Sequence, residues 1–315
     1  MPKPTTAASG AAALPMHVVL VTMDSHLASA AARANRTLAK AMPGLRLSVH
    51  AAAEWGDDEA ALARCKADIA TGDIVIVTML FMEDHFLPVL PALRARRDQC
   101  DAMVCAMSAG EVMKLTRMGK FDMGSPATGA MAFLKRLRGK TSHKSDEQSV
   151  KSSAGAQQMK MLRRLPKILR FIPGTAQDVR AYFLTLQYWL AGSEDNVAHL
   201  VHFLVDRYAA GPRQGLRGLV KTHAPVEYPE LGVYHPQIRN RLSDDLSDMP
   251  RVATSGKRGT VGLLLLRSYL LAGNTDHYDG VITALEARGL RVVPAFATGL
   301  DARPAVEAFF LKDGR

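Results

Sequence analysis

Val261-Gly262-Leu263-Leu264-Leu265-Leu266 is an unbroken apolar run of strand length that stops at Arg267. Such a run, bounded by polar residues, marks a strand buried on both faces, the kind that parallel sheets use. Working outward supports that reading. Asp276 to Arg288 has helical apolar spacing, Leu290 to Pro294 reads as a second strand, and another helix starts near Pro304. A parallel sheet needs several strand–helix units to cover both faces. Two strands are too few. Residues 259–315 are therefore expected to be the start of a larger, truncated α/β domain, with Leu263, Leu265, Val292 and Phe296 short of cover.

The same alternation fills the front of the chain. Residues 1–14 are Ala/Pro/Thr-rich and expected to be disordered. Strands are expected at His17–Met23, Leu45–His50, Ile74–Met79 and Ala102–Met107. Helices are expected at Ser25–Met42, Asp57–Ala70, Glu83–Arg97 and Gly110–Met118. This pattern predicts an open, doubly wound parallel sheet over residues 15–138. Residues 139–158 are Ser/Lys/Gln/Gly-rich without apolar period and read as a flexible linker. A helical segment over 159–210 follows, with helices at Met159–Arg170, Thr175–Ala191 and Ser193–Ala210. Residues 211–258 read as an irregular connector rich in Pro, Gly and Tyr.

With 315 residues, 48% hydrophobic and 22% charged, the chain can bury a real core. No apolar run reaches the ~20 residues that a membrane-spanning helix needs. His17 interrupts the apolar stretch near Ala11–Met23, so a signal peptide is set aside. Cys65, Cys100 and Cys105 form no CxxC pair, which fits a reducing, cytoplasmic setting. Of the net charge of +10, residues 135–170 hold +9, from eleven Lys/Arg against Asp146 and Glu147. No aromatics or recognition motif accompany that block. It reads as a solvated tether, or else as a docking surface for an acidic partner, and not as a nucleic-acid interface.

Motifs narrow the chemistry. The turn after the first strand, Thr22-Met23-Asp24-Ser25-His26, has no glycine and so no backbone cradle for a pyrophosphate. Gly256-Lys257-Arg258 fails the P-loop pattern, so the chain is not expected to hydrolyse ATP. Ser108 lacks a nucleophile elbow; it reads as a helix N-cap, with Glu111 completing a capping box. Asp195, His199, His202 and Asp206 share one helical stripe. They could face a metal, but a polar stripe opposite the apolar Val197, Leu200, Val201, Leu204 and Tyr208 is the ordinary solvent face. Arg267 and the loop Gly273-Asn274-Thr275-Asp276-His277-Tyr278 gather a cation, an imidazole and a phenol at a strand's carboxyl end, where ligands bind in open sheets. The alternative there is a helix capped by Thr275 or Asp276, with Arg267 on the surface.

Several stretches carry a family resemblance. They are Met103 to Lys120, including Glu111-Val112-Met113-Lys114-Leu115-Thr116-Arg117-Met118-Gly119-Lys120-Phe121, and Leu162-Arg163-Arg164-Leu165-Pro166-Lys167-Ile168-Leu169. Others are Ala176-Gln177-Asp178, Leu186-Gln187-Tyr188-Trp189-Leu190, Gly232-Val233-Tyr234-His235-Pro236, and Arg267-Ser268 through to Gly289. In these the chain resembles the N-terminal part of the large, porphyrin-binding H subunit of magnesium chelatases, of the bacteriochlorophyll type. The cobaltochelatase large subunit is a more distant relative. The resemblance implies ATP-driven insertion of Mg²⁺ into protoporphyrin IX, with ATP hydrolysed by separate AAA+ subunits, a small I-type and a D-type. It also implies that Arg267, His277, Tyr278 and His235 are the porphyrin-binding candidates in this chain. His199 and His202 remain the alternative metal ligands. The catalytic base and the Mg²⁺ carboxylates are expected beyond Arg315. When isolated, the chain would otherwise be a non-catalytic interaction module, or part of a cobaltochelatase-type enzyme.

Overall fold

The computed structural model describes residues 13–23, 25–125, 164–250, 258–299 and 301–311. It divides into two compact units. The first runs to Leu190 and resumes over Glu194–Pro225; the second takes Ala191–Ser193 and everything from Val226. The expected linker at 139–158 lies outside the described residues.

The first unit alternates β1 (Met16–Thr22), α1 (Ala28–Ala41), β2 (Leu45–Ala51), α2 (Glu59–Thr71) and β3 (Ile74–Thr78). The short helices α3 (Glu83–Phe86) and α4 (Leu90–Arg96), then β4 (Ala102–Ala106) and α5 (Gly110–Met113), follow. Sheet order is β2-β1-β3-β4, all parallel, so the order reverses direction between β1 and β3. β3 and β4 are buried at every residue, as strands covered on both faces must be. One face carries Val19, Val21, Val75, Val77, Met103 and Cys105 against Trp55, Cys65, Ile69, Phe86 and Leu93. Asp58 caps α2 by accepting from the Ala61 amide at 3.0 Å.

Two expected helices are shorter than read. The one expected over Glu83–Arg97 breaks between Phe86 and Leu90, because Pro88 has no N–H and its ring displaces the preceding turn. The one expected over Gly110–Met118 stops at Met113. The chain turns there into a hairpin, β5 (Arg117–Met118) and β6 (Phe121–Asp122), which adds two antiparallel strands beyond β4. The two-residue turn is Gly119-Lys120, with Gly119 at φ +56°, the left-handed conformation that such turns require. Ser108 is not an N-cap. Its hydroxyl accepts from the Leu80 amide and donates to the Ala106 carbonyl, and the cap position is Ala109.

Residues 164–169 form helix α6, followed by α7 (Thr175–Leu190) and α8 (Glu194–Tyr208). α8 packs along the small-residue face of α1, where Ala30, Ala31 and Ala34 allow close approach. Much of α8 is buried, and His202 is only 7% exposed. Of the polar stripe of α8, Asp195 is exposed, His199 and Asp206 are half-buried, and only His202 is withdrawn from solvent.

The second unit corrects two expectations. Residues 211–258 are not all irregular: β7 (Leu231–Tyr234) and β8 (Leu242–Ser243) lie within them. With β9 (Thr260–Leu266) and β10 (Arg291–Ala297) they form a four-stranded sheet, order β8-β7-β10-β9. β9 and β10 are parallel, while β7 is antiparallel to both β10 and β8. α9 (Arg267–Leu271), α10 (Asp276–Ala287) and α11 (Arg303–Phe309) complete it. Leu265, Val292 and Phe296, expected to lack cover, are buried with Tyr234, Leu270 and Ile282, and Leu263 packs against them. The other face sets Val233, Val293 and Ala295 against Ala305, Phe309 and Phe310. A Cβ at Gly262 would lie 2.8 Å from the Phe310 ring, so that glycine lets the ring approach β9. Leu264 and Leu266 stay 47% exposed.

Candidate functional site

The candidate site read from the sequence in the second unit lies at the carboxyl end of β9. α9 begins directly at Arg267, and the turn through Gly273 (φ +67°) starts α10 at Asp276. This brings three rings together. His277 and Tyr278 have centroids 3.9 Å apart, and Tyr269 meets His277 edge-on at 5.7 Å and Tyr278 at 6.5 Å. His277 is exposed and the two tyrosines are half-buried. The Tyr278 hydroxyl accepts from the Leu266 amide at 3.2 Å, fixing the cluster to the strand end. Tyr269 was not singled out in the sequence. Its place two residues past Arg267, at the same strand end, was the signal available.

The other candidates are placed differently. The Arg267 guanidinium donates to the carbonyls of Pro229 (2.7 Å) and Tyr228 (3.2 Å), so it ties down the segment before β7. His235 is 1% exposed and does not present its ring to solvent. Its Nδ1 accepts from the Gln237 amide at 3.2 Å, which leaves Nε2–H to donate to Glu286 at 3.2 Å. It is a core histidine with both ring nitrogens engaged within the unit. Thr275 stands at the N-cap position of α10, but its hydroxyl accepts from Arg241 (2.8 Å) and makes no capping bond. Below the aromatic cluster, Tyr234 donates to Asp279; burial and that carboxylate push its phenol up to about 12.

In the first unit, His199 and His202 meet a third imidazole. His223 stacks on His199 with centroids 5.0 Å apart and planes 23° from parallel. Buried His199 Nδ1 and His202 Nε2 have no hydrogen-bond partner among the described residues. Among those residues no group of three His, Cys, Asp or Glu is arranged to hold a metal ion, so His199 and His202 do not assemble a metal site with Asp195 and Asp206. At the β1/β3 strand ends, where open sheets bind ligands, the buried hydroxyls of Thr22 and Thr78 are likewise without partners among the described residues.

The motifs behind the family resemblance hold the fold together. Asp178 accepts from the Lys120 amide (2.9 Å), the Tyr208 hydroxyl (3.0 Å) and Arg207 (3.3 Å), pinning the hairpin turn to α7 and α8. Gln177 donates to the Leu169 carbonyl (2.8 Å) at the end of α6.

These features define a two-unit α/β protein, its first sheet built on four parallel strands and its second sheet mixed. Residues 17–183 match a family model described as a domain of unknown function (DUF3479), and residues 186–315 one described as CobN/Magnesium Chelatase. The chain is 49% identical over 305 residues to the magnesium-chelatase H subunit of Cereibacter sphaeroides, covering 96% of this chain and 24% of that protein. It is 31% identical over 301 residues to the chloroplastic magnesium-chelatase ChlH subunit of Oryza sativa subsp. indica, covering 90% and 20%. The chain belongs to the family of magnesium-chelatase H subunits and corresponds to its N-terminal region. It spans about a quarter of the length of the relatives it matches, 24% of the Cereibacter protein. A solved structure, the catalytic subunit of cobaltochelatase from Mycobacterium tuberculosis, aligns with 93% of this chain and 17% of that one, at 16% identity and a TM-score of 0.40.

Proposed function

We propose that this chain is the N-terminal portion of a subunit that holds protoporphyrin IX while Mg²⁺ is inserted, in (bacterio)chlorophyll formation. The observation that carries the reading is the 49% identity to a magnesium-chelatase H subunit, sustained over 305 residues. ATP hydrolysis would come from separate AAA+ subunits of the I and D types, and the assembly would work in the cytoplasm. Among the described residues no helix is long and apolar enough to cross a membrane.

The reaction sets what the whole subunit must supply. Two pyrrole N–H protons leave, so a general base is needed. Mg²⁺ keeps its waters and prefers oxygen ligands, so carboxylates would deliver it. The macrocycle needs a broad apolar contact. Of these, the partly exposed cluster Tyr269, His277 and Tyr278 is suited to the last, through ring stacking. Arg267 is engaged with two carbonyls, which favours an interaction role for much of this chain over a propionate-binding one.

Two experiments test this. The full-length protein carrying this region, mixed with the ATPase subunits, deuteroporphyrin, Mg²⁺ and ATP, is expected to form the fluorescent magnesium porphyrin; no product sinks the reading. Titrating the 315-residue chain with deuteroporphyrin should give saturable quenching that His277→Ala weakens several-fold. A flat titration removes the aromatic cluster from the porphyrin contact and leaves the chain as an interaction module.

A further inference from the structure

Residues 217–223 lie along α8 and lead to Val226, where the second unit begins. Four contacts hold this strap. Arg217 donates to the Ala209 carbonyl (2.7 Å), and the Gly218 amide donates to Asp206 (2.7 Å). Tyr188 of α7 donates to the His223 carbonyl, and the His223 ring stacks on His199. We propose that the three imidazoles His199, His202 and His223 form a proton-sensitive latch, closed when neutral, that releases this strap when they become charged.

The geometry carries the argument. Neutral imidazoles stack face to face, but two imidazolium rings with centroids 5.0 Å apart repel. His199 Nδ1 and His202 Nε2 make no hydrogen bond in the closed form. Opening would give each a water partner, a gain that opposes the contacts holding the strap closed. Few charges offset protonation. On α8 the nearest carboxylate is Asp195, which opposes the lowering of His199, while Asp206 is taken by Gly218. Arg207 is turned to Asp178 and Tyr208. From α7 come Tyr188 and Arg180, from α1 comes Arg33, paired with Glu194 at 2.9 Å, and the strap itself brings Arg217 and Lys221. Apart from the imidazoles themselves, the charge that acts on His199 is the Asp195 carboxylate, and His202 feels only the other two histidines.

The electrostatics point the same way. Burial, then His199 and His223, push the His202 imidazole down to about 4; burial and His223 lower His199. A group with a lowered pKa in the closed form binds fewer protons there than when open. Closure is thus fully favoured above the open-state value near 6.5 and is lost as pH falls from there towards 4. If opening solvates His202, the open population rises about 30-fold between about pH 7.5 and about pH 5.

Hydrogen–deuterium exchange of the full 315-residue chain, corrected for intrinsic rates, reads this out at Gly218 and Leu219. Protection there is expected to fall about 30-fold over that pH range while β1 to β4 hold theirs. His202→Phe should flatten the dependence. His223→Phe changes an exposed ring, keeps the stacking and should leave a shallower slope, so it serves if the core variant does not fold. Protection that ignores pH, a loss shared equally by β1 to β4, or a wild-type slope in the folded variants overturns the latch.

Discussion

Asp178→Ala is expected to destabilise the first unit by about 3 kcal/mol, for reasons that can be worked bond by bond. Its carboxylate, 13% exposed, receives three donors. Tyr208 is 5% exposed, and its hydroxyl hydrogen would be left without an acceptor, costing about 1–2 kcal/mol. Losing the half-buried Arg207 partner costs about 1–2 kcal/mol more. The Lys120 amide is exposed and can turn to water, so it adds little. About 3 kcal/mol is roughly a 150-fold change in the folded-to-unfolded ratio. Urea unfolding followed by tryptophan fluorescence should show a lower midpoint at unchanged slope. Gly119 provides the sharper test. A Cβ there would sit 2.7 Å from an Asp178 oxygen, and its φ of +56° disfavours any side chain. Gly119→Ala should therefore cost about 1–2 kcal/mol more in the wild-type background than in Asp178→Ala, where only the left-handed backbone penalty remains. A single-variant loss under about 1 kcal/mol, or the same Gly119→Ala cost in both backgrounds, would refute this account.

Three further outcomes are expected. Arg213→Ala should destabilise the first unit by about 3 kcal/mol in thermal or urea melts, because it strips a bidentate partner from the buried carboxylate of Asp101. Arg267→Ala should loosen residues 228–230 in hydrogen exchange while leaving any porphyrin affinity of the chain unchanged; a selective affinity loss would restore Arg267 as a ligand residue. Cys65, Cys100 and Cys105 are buried, with Cys65 pushed up to about 12 by burial, so a thiol reagent at neutral pH should label none in the folded protein and all three in denaturant.

The four parallel strands of the first unit were legible because each is an apolar run between turn residues, a local signal. The hairpin at Gly119 was missed because Lys114-Leu115-Thr116-Arg117-Met118 continues a helical pattern. Only the Gly-X turn that follows Met118 betrays the change. β7 was missed for a different reason. Leu231-Gly232-Val233-Tyr234 is too short to declare itself, and its partner strand β10 lies some sixty residues on, with Val233 facing Ala295. The same non-local packing misled the reading of sites. His235 lies just past a strand end, as binding residues do, and only the fold brings Glu286 to its ring. His202 sits on a polar stripe with the exposed Asp195, and only the tertiary packing of α8 shows that its own ring is buried.

The hairpin beside β4 has a bearing on solubility. Ala102-Met103-Val104-Cys105-Ala106 carries no charge, and a bare strand of that kind recruits other chains edge to edge. Two short strands shield its beginning, through Ala102–Met118 and Met103–Arg117. Further along, a single side chain takes over. The buried Thr116 hydroxyl accepts from the Cys105 amide at 3.0 Å and donates to the Cys105 carbonyl at 2.9 Å, standing in for a neighbouring strand. The residues that anchor this hairpin, Asp178 among them, thereby guard the protein against self-association as well as against unfolding.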